Sequence, residues 1–374
     1  MNTVLRAVDS ADFLGILPVL AGFTPRQSIV LLPFEGSRTH GAMRLDLPAD
    51  GLPLDDYAAA AIGLVARVSR TDAVAVVVYT DERAQSTRDG LVLPLTVALD
   101  ELLGCAEDAG LGIVDALCVT PDGWASYLDD APMLHDLDLV PTAPAVPGVG
   151  DVSGDQSAGA ELPHADLAEK ERVGRALHDL SELLDHGTHD HRKTRENPEA
   201  LAAAAMLDDL PEFFELLIET RGDVPPFATA ALLWCLQRPA YRDVALLQWA
   251  ADRGAGNRAL HAQLDYAHRG RTVPDELGDI FLGKGPSPDA DRLRFALDVV
   301  RVAASRAPRA ARPAPLTAAA WLSWALGRST HAGHYLDAVR EIDPEYGLAS
   351  LLQTMIDSAI LPEWTFRRSG GSAT

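Results

Sequence analysis

The sequence predicts an α/β fold in its amino-terminal part and an all-α helical bundle in the remainder. Between residues 28 and 119, short apolar runs alternate with segments of helical period. From residue 165 onward the apolar positions recur at helical spacing, and prolines stand at or near the segment starts. Residues 138–165, between these parts, are rich in Pro, Gly and Ala and have no sustained period.

The first predicted elements are an apolar turn and a hairpin. The turn runs from Phe13 to Phe23 and leads into a Gly-Phe-x-Pro loop. Residues 28–34 (SIVLLPF) have the composition of a strand, and the glycine-bounded EGSRTHG segment predicts the hairpin turn. In the returning strand, 41–47, period-2 alternation places Arg44 and Asp46 on one face.

The rest of the first domain alternates helices with strands. A helix is predicted over 54–68, and the continuous apolar run 73–79 (AVAVVVY) is typical of a strand covered on both faces. A second helix ends at Gly110, and a strand over 112–119 precedes a short WASYL segment. The order β-β-α-β-α-β-β predicts a mixed sheet carrying helices, in a domain over residues 1–135.

The composition changes near Asp136, where a Pro/Gly/Ala-rich linker is expected over 136–164. An all-α domain is then expected over 165–364, followed by a disordered tail over 365–374. The predicted helices are 165–186, 198–209, 212–221, 226–236, 240–253, 256–269, 289–304, 316–327, 330–342 and 345–360.

The charge balance excludes some partners. A net charge of −22 argues against sequence-independent nucleic-acid binding, which needs cations to neutralise phosphates, and equally against anionic membrane surfaces. The three cysteines lack CxxC spacing and suit reduced thiols. No apolar run approaches the length of a membrane span. The apolar residues near the amino terminus are preceded by Asp9 and Asp12 and interrupted by Pro18, whereas a signal peptide has a positive flank and a longer unbroken apolar run. A cytoplasmic protein is therefore expected, with neither nucleic acid nor membrane as partner.

Polar side chains stand at the predicted ends of several strands, where ligands gather in sheets of this type. Asp46, Asp81 and Asp122 would supply three carboxylates near one edge, suited to a divalent cation or to ribose hydroxyls. The other candidate ligand-binding residues at this edge are Gln27, Ser28, Arg44 and Thr80. The alternative interpretation is structural: Arg44 and Asp46 form an ion pair, and Asp81 and Asp122 are turn residues.

Two further patterns resemble ligand sites. His186, His189 and His191 could chelate a late divalent metal together with His178, although Gly187 interrupts the helix that a catalytic zinc motif needs. A solvated loop is the simpler interpretation of these histidines.

Gly278-x-x-x-x-Gly283-Lys284 approaches a phosphate-binding loop. It has Gly285 in place of Ser or Thr and a proline next, and no strand is predicted before it. Nucleotide binding is not expected there.

The remaining cysteines, arginines and tryptophans that could serve a site are more simply explained by core packing or by a solvated loop. No G-x-S-x-G elbow occurs, and Cys105 and Cys118 lie in a predicted helix and strand, as core residues do. The basic stretch Arg301, Arg306, Arg309 and Arg312 is expected to form a solvated interhelical loop, with docking of an acidic partner as the alternative. Core packing is expected for Trp234, Trp249, Trp321 and Trp324.

Three segments carry a family resemblance: GFTPRQSIVLLPF, MRLDLP and WLSWALGRSTHAGHYLDAVREIDPEYGLASLL. With these segments the chain resembles the DUF4192 family, a group of uncharacterised actinobacterial proteins with no assigned activity. The resemblance implies a bacterial cytoplasmic protein. The last segment also resembles one tetratricopeptide unit, a helical hairpin with Ala332 at the close-packing position, which implies peptide or protein binding.

The absence of a complete catalytic motif favours a non-catalytic protein. We expect the α/β part to bind a small molecule or ion near Asp46, Asp81 and Asp122. The helical part is expected to contact a protein partner or a second copy of itself. The alternative is a metal-dependent hydrolase or phosphoryl-transfer enzyme that uses the same carboxylates. The sequence identifies no cofactor and leaves the metal unknown.

Overall fold

The computed structural model describes residues 4–39, 41–88, 90–147, 149–185, 197–220, 224–272 and 274–367. The chain divides into two compact units. The first comprises Met1–Ala158 with Phe366–Thr374, and the second comprises Gly159–Thr365. The first unit is built on a sheet with helices and the second is mostly helical, which confirms the predicted fold class.

A six-stranded mixed sheet forms the centre of the first unit. Five strands follow the spatial order β2-β1-β4-β7-β8, and β3 also pairs with β1. Strand β1 runs antiparallel to β3 and β4, whereas β4 runs parallel to β7. The strands are β1 (Ser28–Glu35), β2 (Arg38–Thr39), β3 (Met43–Asp46), β4 (Ala73–Tyr79), β7 (Gly112–Thr120) and β8 (Gly123–Ser126).

Helices cover both faces of this sheet. Alternate side chains of β1 and β4 point to opposite faces and are buried in separate apolar clusters. One cluster includes side chains of α2 (Leu54–Ala66) and α3 (Thr96–Asp108), and the other includes side chains of α1 (Ser10–Ala21). Coverage on both faces explains why β4 is a continuous apolar run, as predicted.

Helix α1 corrects the prediction of an apolar turn over Phe13–Phe23. The Asp9 side chain accepts a hydrogen bond from the Asp12 amide and so caps the start of the helix. Pro18 lies inside the helix, and Gly22 ends it in the left-handed conformation. The sequence argument failed because an internal proline was taken as an interruption, whereas burial of Phe13, Leu14 and Leu17 stabilises the helix.

A two-stranded sheet was also not predicted. It comprises β5 (Gln85–Thr87) and β6 (Gly90–Val92), which pair antiparallel between β4 and α3 in the chain. Both strands are short and mostly exposed, and they therefore lack the apolar alternation that marks a half-buried strand.

Part of the Pro/Gly/Ala-rich segment packs within the first unit. The Thr24 hydroxyl donates to the carbonyl of Val152 at 2.8 Å, and the Thr24 amide donates to that of Gly154 at 2.8 Å. The Gln156 side chain exchanges two hydrogen bonds with the backbone of Arg26, at 3.0 and 3.1 Å. These bonds connect residues 152–156 to the loop that precedes β1.

The second unit consists of helices around one continuous apolar core. The helix Asp275–Phe281 was not predicted, because its seven residues carry too few apolar positions to show a period. The helices are α4 (Leu167–Asp185), α5 (Pro198–Met206), α6 (Leu210–Glu219), α7 (Pro226–Leu236), α8 (Pro239–Ala250), α9 (Arg253–Arg269), α10 (Asp275–Phe281), α11 (Ala290–Arg306), α12 (Pro313–Ala325), α13 (Ser329–Arg340) and α14 (Gly347–Asp357).

Helix starts and tryptophans follow the sequence predictions. Pro198, Pro211, Pro226 and Pro239 all occupy the first or second helical position, where the missing N–H costs nothing. The four tryptophans predicted to lie in the core are all buried.

The prediction of an interhelical loop for the basic stretch holds for Arg309 and Arg312, which lie between the helices Ala290–Arg306 and Pro313–Ala325, but was wrong for the other two arginines. Arg301 and Arg306 lie on α11 and not in a loop. All four arginines of the stretch donate hydrogen bonds to backbone carbonyls elsewhere in the unit, as Arg306 does to Val224 at 3.0 Å. The arginines of this stretch therefore connect chain segments to each other through hydrogen bonds.

Candidate functional site

The sheet topology places the predicted site residues at one edge of the first unit. Ser28, at the start of β1, is in register with Asp46 at the end of β3 and with Tyr79 at the end of β4. Because β4 and β7 are parallel, Thr80 and Asp81 follow β4 on the same side as Asp122 follows β7. We call this set the strand-end edge: Gln27, Ser28, Arg44, Asp46, Thr80, Asp81 and Asp122.

Each of the three carboxylates lies beside an arginine. Asp46 is hydrogen-bonded to Arg44, and Asp122 is hydrogen-bonded to Arg83. A carboxylate oxygen of Asp81 lies 3.9 Å from the Arg26 guanidinium. The pairs neutralise the acidic charge of this edge, as the structural interpretation expects for Arg44 and Asp46.

Thr80 of this edge and Thr120, the last residue of β7, serve turns. Thr80 Oγ1 accepts from the Glu82 amide at 3.1 Å, and Thr120 Oγ1 donates to the carbonyl of Gly123 at 2.9 Å. Such bonds fix short turns regardless of function. Among the described residues, no three His, Cys, Asp or Glu side chains gather closely enough to hold a metal ion.

Gln27 and Ser28 are the unusual residues of the strand-end edge. Gln27 has φ of 44°, a left-handed conformation that costs a residue other than glycine free energy. Its side-chain oxygen accepts from the Asp81 amide at 3.0 Å and so joins the loops next to β1 and β4. The Ser28 hydroxyl is fully buried and has no hydrogen-bond partner among the residues described. Strain next to an unsatisfied hydroxyl is a feature of functional sites as well as of tight loops.

The tyrosines near this edge stay protonated. Burial, followed by the nearby Asp46, raises the pKa of Tyr57, whose hydroxyl donates to the carbonyl of Asp46 at 2.7 Å. Burial also raises the pKa of Tyr79. Neither hydroxyl is therefore suited to act as a base at neutral pH.

A cavity of about 650 Å³ lies between helices α4, α5, α6 and α7 of the second unit. Its volume is within the usual range for small-molecule sites, which are mostly apolar with a few polar groups. We call it the helical cavity. Its apolar lining includes Ala176, Ala203, Met206, Phe213, Leu216, Leu217, Val224, Phe227 and Ala228.

Polar residues also line the helical cavity. Asn197 caps α5 and donates from its side chain to Asp179 on α4 at 2.9 Å, which connects two of the enclosing helices. Arg172 and Arg175 add positive charge from α4. Sequence reasoning missed this site because each lining residue, taken alone, looks like an ordinary core position. The residues come together only when four helices pack.

The remaining predicted sites fall in two groups. His186, His189 and His191 lie outside the described residues. In the pattern resembling a phosphate-binding loop, Gly278 lies within α10, and the next helix begins only at Ala290. A phosphate-binding loop connects a strand to a helix that begins at its Lys and Ser or Thr, so the structure confirms that this pattern is not one.

Cys118 and Cys235 are not activated as nucleophiles. Burial raises the pKa of Cys118 to about 11, so its thiolate is scarce at neutral pH. Burial likewise raises the pKa of Cys235. The structure thus agrees with the prediction that Cys118 is a core residue.

Comparison with known proteins identifies one family. A family model described as "Domain of unknown function (DUF4192)" matches residues 11–363. No curated protein and no solved structure matches the chain. In the described part of the chain, none of the helices is both long and apolar enough to cross a membrane.

Proposed function

This chain belongs to the DUF4192 family, and we propose that it is a non-catalytic protein that binds an apolar molecule in the helical cavity. The observation that carries the proposal is a cavity of about 650 Å³ with a mainly apolar lining. An apolar molecule that enters this cavity removes its own apolar surface and that of the lining from water, which favours binding.

The cavity lining indicates the class of ligand. Phe213 and Leu217 are almost fully buried and form an apolar wall, which favours an aliphatic or aromatic body. The guanidinium groups of Arg172 and Arg175 and the carboxylates of Asp179 and Glu199 favour a polar end on the same molecule. An amphipathic molecule satisfies both requirements.

Titration with anilinonaphthalene sulfonate, an apolar fluorophore with one negative charge, tests the proposal. We expect saturable binding to the native protein. Ala203 is buried and lines the cavity, so the larger side chain of Ala203→Leu reduces the space in the cavity and should weaken that binding. Ala205 lies on the same helix but is exposed and outside the cavity, so Ala205→Leu is the matched control and leaves binding unchanged. Equal binding by both variants would show that the fluorophore binds elsewhere.

The strand-end edge is our second candidate ligand site. It is favoured by the unsatisfied Ser28 hydroxyl and the strained Gln27 backbone. Each of Asp46, Asp81 and Asp122 already has an arginine beside it, which counts against binding of a cation there. A neutral molecule that forms hydrogen bonds fits this edge better. A thermal-shift screen of metabolites with Asp46→Ala and Asp81→Ala tests this site, which is rejected if neither variant alters any ligand-induced shift.

A contact with a protein partner or a second copy is our proposal for the surface beside the helical cavity. Leu201 is exposed there, and Met206 and Leu216, which line the cavity, are also exposed; exposed apolar side chains near one another favour association. Sedimentation of the parent protein and of Leu201→Ser, a residue outside the cavity lining, measures self-association directly. A parent protein that stays monomeric at all concentrations would restrict the proposal to a different partner.

A further inference from the structure

The helical cavity is lined by two-turn faces of three helices. On α4 the lining positions are 172, 175, 176 and 179, which is the spacing of one side of a helix. The same spacing begins at position 199 on α5 and at position 213 on α6, where it ends at Thr220, just beyond the helix. Seven residues of helix rise by about 10 Å. The three faces that line the cavity therefore have the same length.

The helical cavity has an apolar floor and an apolar rim that is open to solvent. Ala176, Ala203 and Leu217, the third position of each face, are buried. Met206 and Leu216 also line the cavity, but they are 38% and 44% exposed. Exposed apolar side chains beside a cavity mark a surface that a partner can cover. A ligand that fits this lining therefore contacts the rim as well as the floor.

The charges in the lining change sign along α4. Arg172 and Arg175 lie toward the start of the helix, and Asp179 lies two turns after Arg172. Asn197, at the start of α5, donates to Asp179 at 2.9 Å, and Glu199, two residues further on, also lines the cavity. The lining is therefore basic toward the start of α4 and acidic where α4 meets α5.

We propose that the helical cavity binds an amphipathic helix of a partner protein, with about two turns of that helix lying antiparallel to α4. An amphipathic helix presents its apolar side chains at the same i, i+3, i+4 and i+7 spacing as the three lining faces, and such helices bind in apolar grooves of other proteins. This inference rests on the proposed function and identifies the amphipathic ligand as a protein segment.

The charges of the lining determine the direction of the bound helix. A helix carries partial positive charge at its amino end and partial negative charge at its carboxyl end. In the antiparallel direction the amino end faces Asp179 and Glu199, and the carboxyl end faces Arg172 and Arg175. Both ends of the bound helix then lie next to side chains of opposite charge, which favours this direction over the reverse one.

Fluorescence polarisation with two labelled peptides tests the proposal on the full chain. Each peptide has about 18 residues, enough to populate a helix, and carries leucines at i, i+3, i+4 and i+7 on an alanine framework. The first peptide has lysines in its first turn and glutamates in its last turn, and the second has the same residues exchanged. We expect saturable binding of the first peptide to the parent protein.

A matched pair of leucine variants locates the bound peptide. Leu216 lines the cavity and is 44% exposed, whereas Leu201 is 43% exposed and lies outside the lining. Leu216→Glu places a carboxylate against the apolar face of the peptide and should weaken binding by about tenfold or more. Leu201→Glu should leave binding unchanged. Equal effects of the two variants would overturn the proposal.

A charge reversal tests the direction of the bound helix. Arg172 is the residue to change, because Arg175 already contacts Glu171 at 2.8 Å. Arg172→Glu should weaken binding of the first peptide and strengthen binding of the second, since the charge beside the last turn changes sign. Arg271→Glu, at an exposed arginine outside the lining, is the control and should change neither. The opposite exchange of affinities would overturn the antiparallel direction.

The remaining outcomes separate this inference from the proposed function. If anilinonaphthalene sulfonate binds in the cavity but neither peptide binds, the proposed function stands and the helix proposal is overturned. If neither the fluorophore nor a peptide binds, both are overturned. A parent protein that sediments as a dimer and becomes monomeric in Leu216→Glu would assign the cavity to a second copy of the chain and overturn the partner proposal.

Discussion

Arg292 on α11 donates two parallel hydrogen bonds to the carboxylate of Glu215 on α6, one of which measures 2.6 Å. The side chain of Gln248 on α8 donates to the same carboxylate at 2.9 Å. Arg292 in turn donates to the carbonyl of Gln248 at 3.2 Å. A single charged group thereby connects three helices that are distant in sequence, and it is mostly shielded from water.

The first prediction concerns the pH dependence of stability. Hydrogen bonding to Arg292 lowers the pKa of Glu215 below its usual 4.5, so folding favours the ionised carboxyl. The stabilisation is fully present above pH 4.5 and is lost as the pH falls through the lower folded-state pKa. Glu215→Gln should cost about 2 kcal/mol at pH 7, with a smaller difference in acid.

Urea unfolding of both proteins between neutral and acidic pH measures this difference. Asp265→Asn removes an exposed ion pair with Arg269 and serves as the control, with a cost of at most about 0.5 kcal/mol. A difference for Glu215→Gln that stays constant with pH would contradict the assigned shift.

The second prediction concerns packing at Gly256 on α9. A Cβ at this position would lie 2.1 Å from Gln248 Oε1, inside the buried part of the network around Glu215. Gly256→Ala should therefore destabilise the protein by about 1 to 3 kcal/mol, despite the higher helix propensity of alanine. Gly333, on α13, has open space around its missing Cβ, so Gly333→Ala should be neutral or stabilising. Denaturant midpoints that move in the same direction for both variants would contradict the packing argument.

The third prediction separates backbone strain from side-chain bonding at Gln27. Gln27→Ala and Gln27→Gly both remove the hydrogen bond to the Asp81 amide, but only glycine tolerates a φ of 44° without strain. Gln27→Gly should therefore be about 1 kcal/mol more stable than Gln27→Ala. Chemical unfolding of the two variants measures the difference. Equal stability would mean that the folded chain does not hold residue 27 in the left-handed region.

The fourth prediction concerns thiol reactivity. Cys118 and Cys235 are fully buried, and burial raises the pKa of Cys118 to about 11, whereas Cys105 is partly exposed. At pH 8 an aromatic disulfide reagent should modify Cys105 first in the native protein, and all three cysteines in denaturant. Cys105→Ser should remove the fast native phase. Rapid native modification of Cys118 would indicate an opening of the sheet that its burial does not allow.

Local patterns in the chain were enough to predict most of the elements. The continuous apolar run of β4 predicted coverage on both faces, and the prolines at positions 198, 211, 226 and 239 marked helix starts. Strand order also placed Asp46, Asp81 and Asp122 near one edge, because the ends of parallel strands share a side. The missed helices, α1 and α10, are those in which an internal proline or a short length masks the period, and the missed strands, β5 and β6, are short and mostly exposed.

Periodicity therefore fixed which segments become helices and strands, since burial of one face repeats at the spacing of the backbone. Which charged side chains pair with each other depended instead on the tertiary fold. Arg83 meets Asp122 across 39 residues, and Arg292 meets Glu215 across 77. The helical cavity likewise exists only where α4, α5, α6 and α7 enclose it. Such contacts depend on how whole elements pack in three dimensions, and no spacing along the chain records that arrangement.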